Sequence, residues 1–163
     1  MKAIAKFEKV SREQFNKDFL KNVTYKCDYD VYENVKLPVR SSTGSAGYDF
    51  VSPIGFSLGH GESIIIPTGI RCKIDDGWML GCYPRSGLGF KTHVRLANTV
   101  GIIDSDYYYA DNEGHIMIKL VADKLLVVNP GDRICQGIFT EYGITVDDEC
   151  EAKRTGGFGS SGA

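Results

Sequence analysis

An all-β barrel or sandwich is the fold this sequence predicts, on three observations. From Val35 onward, short stretches rich in Ile and Val alternate with turn signals, which is the pattern of many short strands. The chain has 163 residues, enough for one domain with a real core and short for two. Its composition, 42% hydrophobic and 25% charged, is that of an ordinary soluble globular protein.

The elements follow in order. One helix precedes the strands. Ser11-Arg12-Glu13-Gln14 fits a capping box, with Ser11 as N-cap and Gln14 at N3. Val10 and Phe15 then take staple positions, and Phe15 and Phe19 share a face. The helix is expected to end near Lys21, on the surface, with one apolar stripe. It reads as a packing addition, with a partner-docking element as the alternative.

Strands are expected at Ser63-Ile64-Ile65-Ile66, Gly69-Ile70-Arg71-Cys72-Lys73-Ile74 and His115-Ile116-Met117-Ile118-Lys119-Leu120-Val121. Gly59-His60-Gly61, Asp75-Asp76-Gly77 and Asn129-Pro130-Gly131-Asp132 separate them as turns. Asp76-Gly77 suits a hairpin turn that needs positive φ. A short helix from Ser86 to about His93 is weakened by Gly87 and Gly89. Gly101-Ile102-Ile103-Asp104-Ser105-Asp106-Tyr107 reads as a buried strand opening into a polar turn.

The net charge is −2, so nothing suggests broad attraction to nucleic acid or to an anionic membrane. A polyanionic small molecule would need local basic groups and backbone N–H donors. The five cysteines (Cys27, Cys72, Cys82, Cys135 and Cys150) include no Cys-x-x-Cys pair, and only three histidines accompany them. That argues against a zinc site and for reduced thiols in a cytoplasmic protein. The N-terminus has no continuous apolar segment of the signal-peptide kind, and no 18-residue apolar run occurs.

Two acids and a tyrosine at a strand end suit a site that activates water and packs a ring against a small ligand. Four further blocks accompany that stretch: Ala46-Gly47-Tyr48-Asp49-Phe50, Pro84-Arg85-Ser86-Gly87-Leu88-Gly89, Gly131-Asp132-Arg133-Ile134-Cys135-Gln136 and Gly156-Gly157-Phe158-Gly159-Ser160-Ser161-Gly162. In this order the five blocks resemble the five motifs of the trimeric dUTP pyrophosphatases, the dUTPases, across residues 46 to 162. The resemblance implies a jelly-roll-like subunit with short helices, a homotrimer with shared sites, and hydrolysis of dUTP to dUMP and pyrophosphate with Mg²⁺. It divides the chain into an N-terminal extension at 1–34, a β-barrel domain at 35–150 and a glycine-rich C-terminal lid at 151–163.

The resemblance also distributes roles. Asp104 is the general base that orients a water for in-line attack on the α-phosphorus, and Gln136 helps hold that water or the α-phosphate. Arg85, Ser86 and Gly87 contact the triphosphate; a guanidinium, a hydroxyl and helix N–H groups suit an anion. Asn98, Gly101, Ile102 and Ile103 form one arm that pairs with uracil as another base would, with the backbone near Met117 on the other arm. Such donors reject cytosine because the wrong base leaves buried polar groups unpaired. Tyr107 lies against the deoxyribose and leaves no room for a 2′-hydroxyl.

Phe158 covers the uracil, and the glycines around it, Gly159 among them, let backbone N–H groups wrap phosphates. Most relatives carry an arginine five positions before that phenylalanine, where this chain has Lys153; Arg154 is taken as the γ-phosphate ligand, with Lys153 as the alternative. Asp132 is expected to orient an arginine such as Arg85, and Asp106 to cap the turn. Mg²⁺ rides on the phosphates with no direct protein ligand, and Asp49 either holds one of its waters or is a turn residue.

Residues 108–114 resemble the longer hairpin tip of Gram-positive bacterial and phage relatives and are read as a loop, with access or partner roles left open. Two rival readings are a dCTP deaminase, which shares the fold, and a nucleotide-sensing module that binds a regulatory protein partner.

Overall fold

The computed structural model describes residues 2–152, Arg154 and Gly156. Its strands are β1 (Ala5–Lys9), β2 (Val39–Arg40), β3 (Tyr48–Val51), β4 (Phe56–Leu58), β5 (Ser63–Pro67), β6 (Ile70–Ile74), β7 (Trp78–Pro84), β8 (Arg95–Leu96), β9 (Gly101–Ile103), β10 (Met117–Val121), β11 (Leu126–Val128) and β12 (Arg133–Glu141). The helices are α1 (Arg12–Asn22) and α2 (Ser86–Thr92), with 3₁₀ turns at Val31–Asn34 and Ser105–Tyr109. The all-β expectation holds.

The largest sheet has the order β2-β3-β12-β7-β9. A second runs β5-β10-β8, and the pairs β1-β6 and β11-β4 complete the set. Every pairing is antiparallel. Inward side chains from the sheets meet in one core that includes Phe50, Ile54, Ile66, Ile70, Leu80, Ile116, Leu120 and Ile134. Burying each such side chain contributes about 1.5–3 kcal/mol. The cysteines are free thiols. Burial pushes Cys72 up to about 12, which keeps it protonated and inert.

Two local expectations are corrected. Gly77 does adopt positive φ, at 79°, but β6 pairs with β1 while β7 pairs with β12 and β9. The turn therefore passes the chain between sheets and closes no hairpin. The strand before Asp104 is not a buried one. β9 is the edge of its sheet, and Ile102 is 57% exposed.

Helix α1 starts where its cap predicts: Ser11 Oγ accepts the Gln14 N–H at 3.1 Å. The reciprocal half of the capping box is absent, because Glu113 takes the Ser11 N–H at 2.8 Å and Gln14 turns to Asp18 at 2.7 Å. Val10 and Phe15 are both buried, and Phe15 stacks with Phe19. The segment before residue 35 also contributes β1, a strand not anticipated, whose Phe7 packs among Tyr48, Phe50 and Phe139.

Candidate active site

The anion-binding candidates sit where β7 ends. Pro84 closes the strand, Arg85 is the N-cap residue of α2, and Ser86 and Gly87 form its first turn, both exposed. The Arg85 carbonyl already accepts Leu88 N–H at 3.1 Å and Gly89 N–H at 2.9 Å. A helix start leaves its first N–H groups without intrahelical partners, so this turn offers donors to solvent.

Arg85 is aimed by Asp49, not by Asp132. Its Nε lies 2.9 Å from Asp49 Oδ1, and Arg133 Nη1 takes Asp49 Oδ2 at 3.3 Å. Asp49 is a strand residue on β3, opposite Gln136 of β12. It is therefore not a turn residue, and each of its two oxygens meets a guanidinium. Asp132 accepts the Asn129 N–H at 2.8 Å and so closes its own turn. Arg133 is a site residue that the sequence reading passed over, although it lies inside a motif block.

Gln136 projects beside this cluster. Its Nε2 is 3.4 Å from the Pro84 carbonyl. A Cβ added at Gly47 would lie 2.6 Å from Gln136 Oε1, so the glycine of the first block makes room for that amide.

The second group lies at the other end of β7. Asp104 follows β9 at the N-cap position of the 3₁₀ turn, yet its side chain makes no capping bond. The carboxylate is half-buried and pairs with Arg154 Nη1 at 3.0 Å. Arg154 also reaches Asp106 Oδ1 at 3.2 Å, and its guanidinium lies 5.4 Å from the centre of the Tyr107 ring. Within one chain Arg154 therefore rests on the second group's carboxylates, not on the anion-binding turn. Asp106 does not cap; it is exposed and serves as the second acceptor for Arg154.

Tyr107 is only 6% exposed. Its hydroxyl donates to the His115 carbonyl at 2.8 Å and accepts from Asn112 Nδ2 at 2.9 Å. Asn98 is exposed at the turn into β9, and its Nδ2 would lie 3.6 Å from a Cβ at Gly101. Gly101, Ile102 and Ile103 pair with Cys82, Gly81 and Leu80 on one side and form the sheet edge on the other. Met117 does not lie on a paired arm: β10 bonds to β5 and β8, in a different sheet from β9. Phe158, Gly159 and Lys153 lie outside the described residues.

Register separates the two groups. Ile103 is opposite Leu80, so Asp104 falls beside Met79, and Arg85 stands six residues further along the chain, roughly 20 Å at strand rise. Asp104 and Arg85 of one chain therefore stand at opposite ends of β7.

The family model described as dUTPase matches residues 33–162. The chain belongs to the dUTPase family. A Lactococcus lactis deoxyuridine 5′-triphosphate nucleotidohydrolase is 40% identical over 139 residues, which is 81% of this chain and 93% of that one. The crystal structure of the dUTPase from Streptococcus mutans superposes with a TM-score of 0.64 at 30% identity, over 85% of this chain and 97% of its own. A mutant dUTPase from phage phi11 of S. aureus matches in fold, with a TM-score of 0.63 at 17% identity over 92% of this chain and 98% of its own. That structure shows the coordination of a structural Mg(II) ion. Among the described residues, no helix is long and apolar enough to cross a membrane.

Proposed function

We propose that this chain hydrolyses dUTP to dUMP and pyrophosphate, with Asp104 as general base. The observation that carries the assignment of the base is the state of its carboxylate. It stands at a helical cap position without capping, half-buried beside Tyr107. Its oxygens remain able to accept a proton from a water once Arg154 moves aside.

In the proposed step, the water's oxygen bonds to the α-phosphorus as its proton passes to Asp104. The bond from that phosphorus to the bridging oxygen breaks, and pyrophosphate leaves. Arg85, locked by Asp49, binds the phosphates, and the turn at Ser86 and Gly87 donates N–H groups. Gln136 holds the water or the α-phosphate. The open edge of β9, with Asn98, pairs with uracil, and Tyr107 covers the deoxyribose. Arg154 exchanges its carboxylates for the γ-phosphate, and Phe158 and Gly159 belong to the closing tail.

The separation of Asp104 from Arg85 supports a site built from more than one copy, and a homotrimer with shared sites meets that need. Mg²⁺ fits this donor set only as an ion carried by the phosphates, where it would neutralise their charge. A cytoplasmic location agrees with the free cysteines.

The test is pyrophosphate release from dUTP, dCTP, dTTP and UTP, on wild type beside Asp104→Asn. Release from dUTP alone, lost in the variant, is expected. Tight dUTP binding with no release would replace catalysis with nucleotide sensing, and ammonia from dCTP would mean a deaminase.

A further inference from the structure

The N-terminal segment and the insertion at 108–114 look like separate additions in the sequence, but the fold joins them. Helix α1 turns Asp18 inward, where its Oδ2 accepts from Gln14 Nε2 at 2.7 Å and meets His115 Nδ1 at 2.7 Å. His115 is wholly buried, and its Nε2 accepts the Gly69 N–H at 2.8 Å. A backbone N–H can only donate, so Nε2 is the unprotonated nitrogen and Nδ1 carries the proton that points at Asp18. The His115 carbonyl then accepts the Tyr107 hydroxyl, and Asn112 donates to that hydroxyl from its other side. Asn112 is itself held, since its Oδ1 accepts the Gly114 N–H at 3.2 Å.

An outer clasp runs parallel to this buried line. Glu113 accepts from the Ser11 N–H and, at 2.6 Å, from the Ser11 hydroxyl. Tyr108 donates to Glu8 at 2.6 Å. Arg71 lies over the Tyr108 ring at 3.6 Å and donates to the Tyr108 carbonyl at 2.9 Å. The insertion is thus fastened on two sides. Glu8, Ser11, Gln14 and Asp18 all precede residue 33, where the family match begins.

We infer that Asp18 and His115 are positioning residues, which carry order from helix α1 through a buried hydrogen-bond line to Tyr107 and so set how tightly the site rejects a ribose. The inference rests on the reading above that Tyr107 covers the deoxyribose. A ring that excludes one oxygen must be held to a fraction of an ångström, and its support has to come from neighbours that are themselves fixed. Tyr107 lies on a short 3₁₀ turn, which supplies little rigidity of its own. The bonds to its hydroxyl supply it instead, and they end on a helix outside the matched domain.

The experiment compares kcat/KM for dUTP and UTP, with melting temperature, in wild type, Asp18→Ala, Asp18→Asn, Asn112→Ala and Arg12→Ala. Asp18→Ala is expected to lower the preference for dUTP about tenfold, mainly through a rise in kcat/KM for UTP, with kcat for dUTP within about twofold. Asp18→Asn keeps an oxygen acceptor for His115 and should recover most of the preference. Asn112→Ala, at a half-buried position, should shift it the same way even if Asp18→Ala does not fold. Arg12→Ala breaks the pairs with Asp30 and Glu33 on the outer face of the same helix; it should change melting alone.

Unchanged preference in both Asp18→Ala and Asn112→Ala would overturn the inference. So would an equal loss in Arg12→Ala, since any damage to the helix would then suffice. A wild type that does not hydrolyse dUTP would instead overturn the functional reading, and the role of Tyr107 with it.

Discussion

Gly47→Ala should separate activity from stability. The added Cβ would sit 2.6 Å from Gln136 Oε1 but 3.4 Å from that side chain's Cβ and Cδ. Only the far end of a flexible side chain has to move, and its bond to the Pro84 carbonyl is long, at 3.4 Å. The fold should therefore lose about 1 kcal/mol or less. The amide itself would be displaced by about the width of a hydrogen-bond well, so the contact proposed for it with the water or α-phosphate would be lost. Removing one preorganised donor of this kind typically costs about 100-fold in kcat, or about 2.7 kcal/mol.

Gly137→Ala on the same strand is the control. Its Cβ would lie 2.8 Å from Leu80 Cδ1 and 3.0 Å from Phe50 Cε2, inside the packed core. Overpacking there should cost about 1–3 kcal/mol of stability while leaving the turnover of folded enzyme near wild type. The assay is pyrophosphate release from dUTP under saturating substrate, with a melting curve for each variant. The reasoning is refuted if Gly47→Ala keeps full kcat, or if its activity falls only as far as its folded fraction does.

Further outcomes follow from the same geometry. Asp49→Asn should leave Arg85 aimed at nothing charged and raise KM for dUTP about tenfold with a smaller change in kcat, measured by steady-state kinetics. Asp104→Asn should lower kcat at least about 100-fold with little effect on melting, because the carboxylate makes no cap bond. Burial raises the Asp18 carboxyl, but hydrogen bonds from His115 and Gln14 outweigh it and hold the group below its ordinary value. The unfolded chain then binds that proton at higher pH than the folded one. The stabilisation is complete above about pH 4 and is lost as pH falls through the folded value, so Asp18→Asn should flatten the acid side of the stability–pH curve.

The sequence made the strands legible because Ile- and Val-rich runs and turn residues act locally. The same holds for α1, whose cap and apolar spacing lie within a few residues. What it hid depends on pairing between distant segments. Asp76-Gly77 looks like a hairpin turn because turn chemistry is local, whereas the choice of β1 for β6 and β12 for β7 is tertiary. Asp132 stands beside Arg133 in its own motif block, whereas the block of Asp49 holds no arginine, and only the ion pairs of the folded chain show that Asp49 meets Arg85 and Arg133. The bond between Asp18 and His115 spans 97 residues, and no local pattern marks either end. Gly47 was visible as a motif glycine, but its reason is a side chain on another strand.

The most direct test mixes two inactive variants, Asp104→Asn and Arg85→Ala, co-expressed with different tags so that mixed oligomers can be isolated. If base and phosphate arm come from different copies, one of the three sites in each mixed trimer, about a third of all sites, pairs an intact Asp104 with an intact Arg85. The mixture should then recover dUTP hydrolysis at about that fraction of wild type, far above either parent. Mixed oligomers as inactive as their parents would contradict a shared site and require base and arginine to act from one chain, against the spacing along β7.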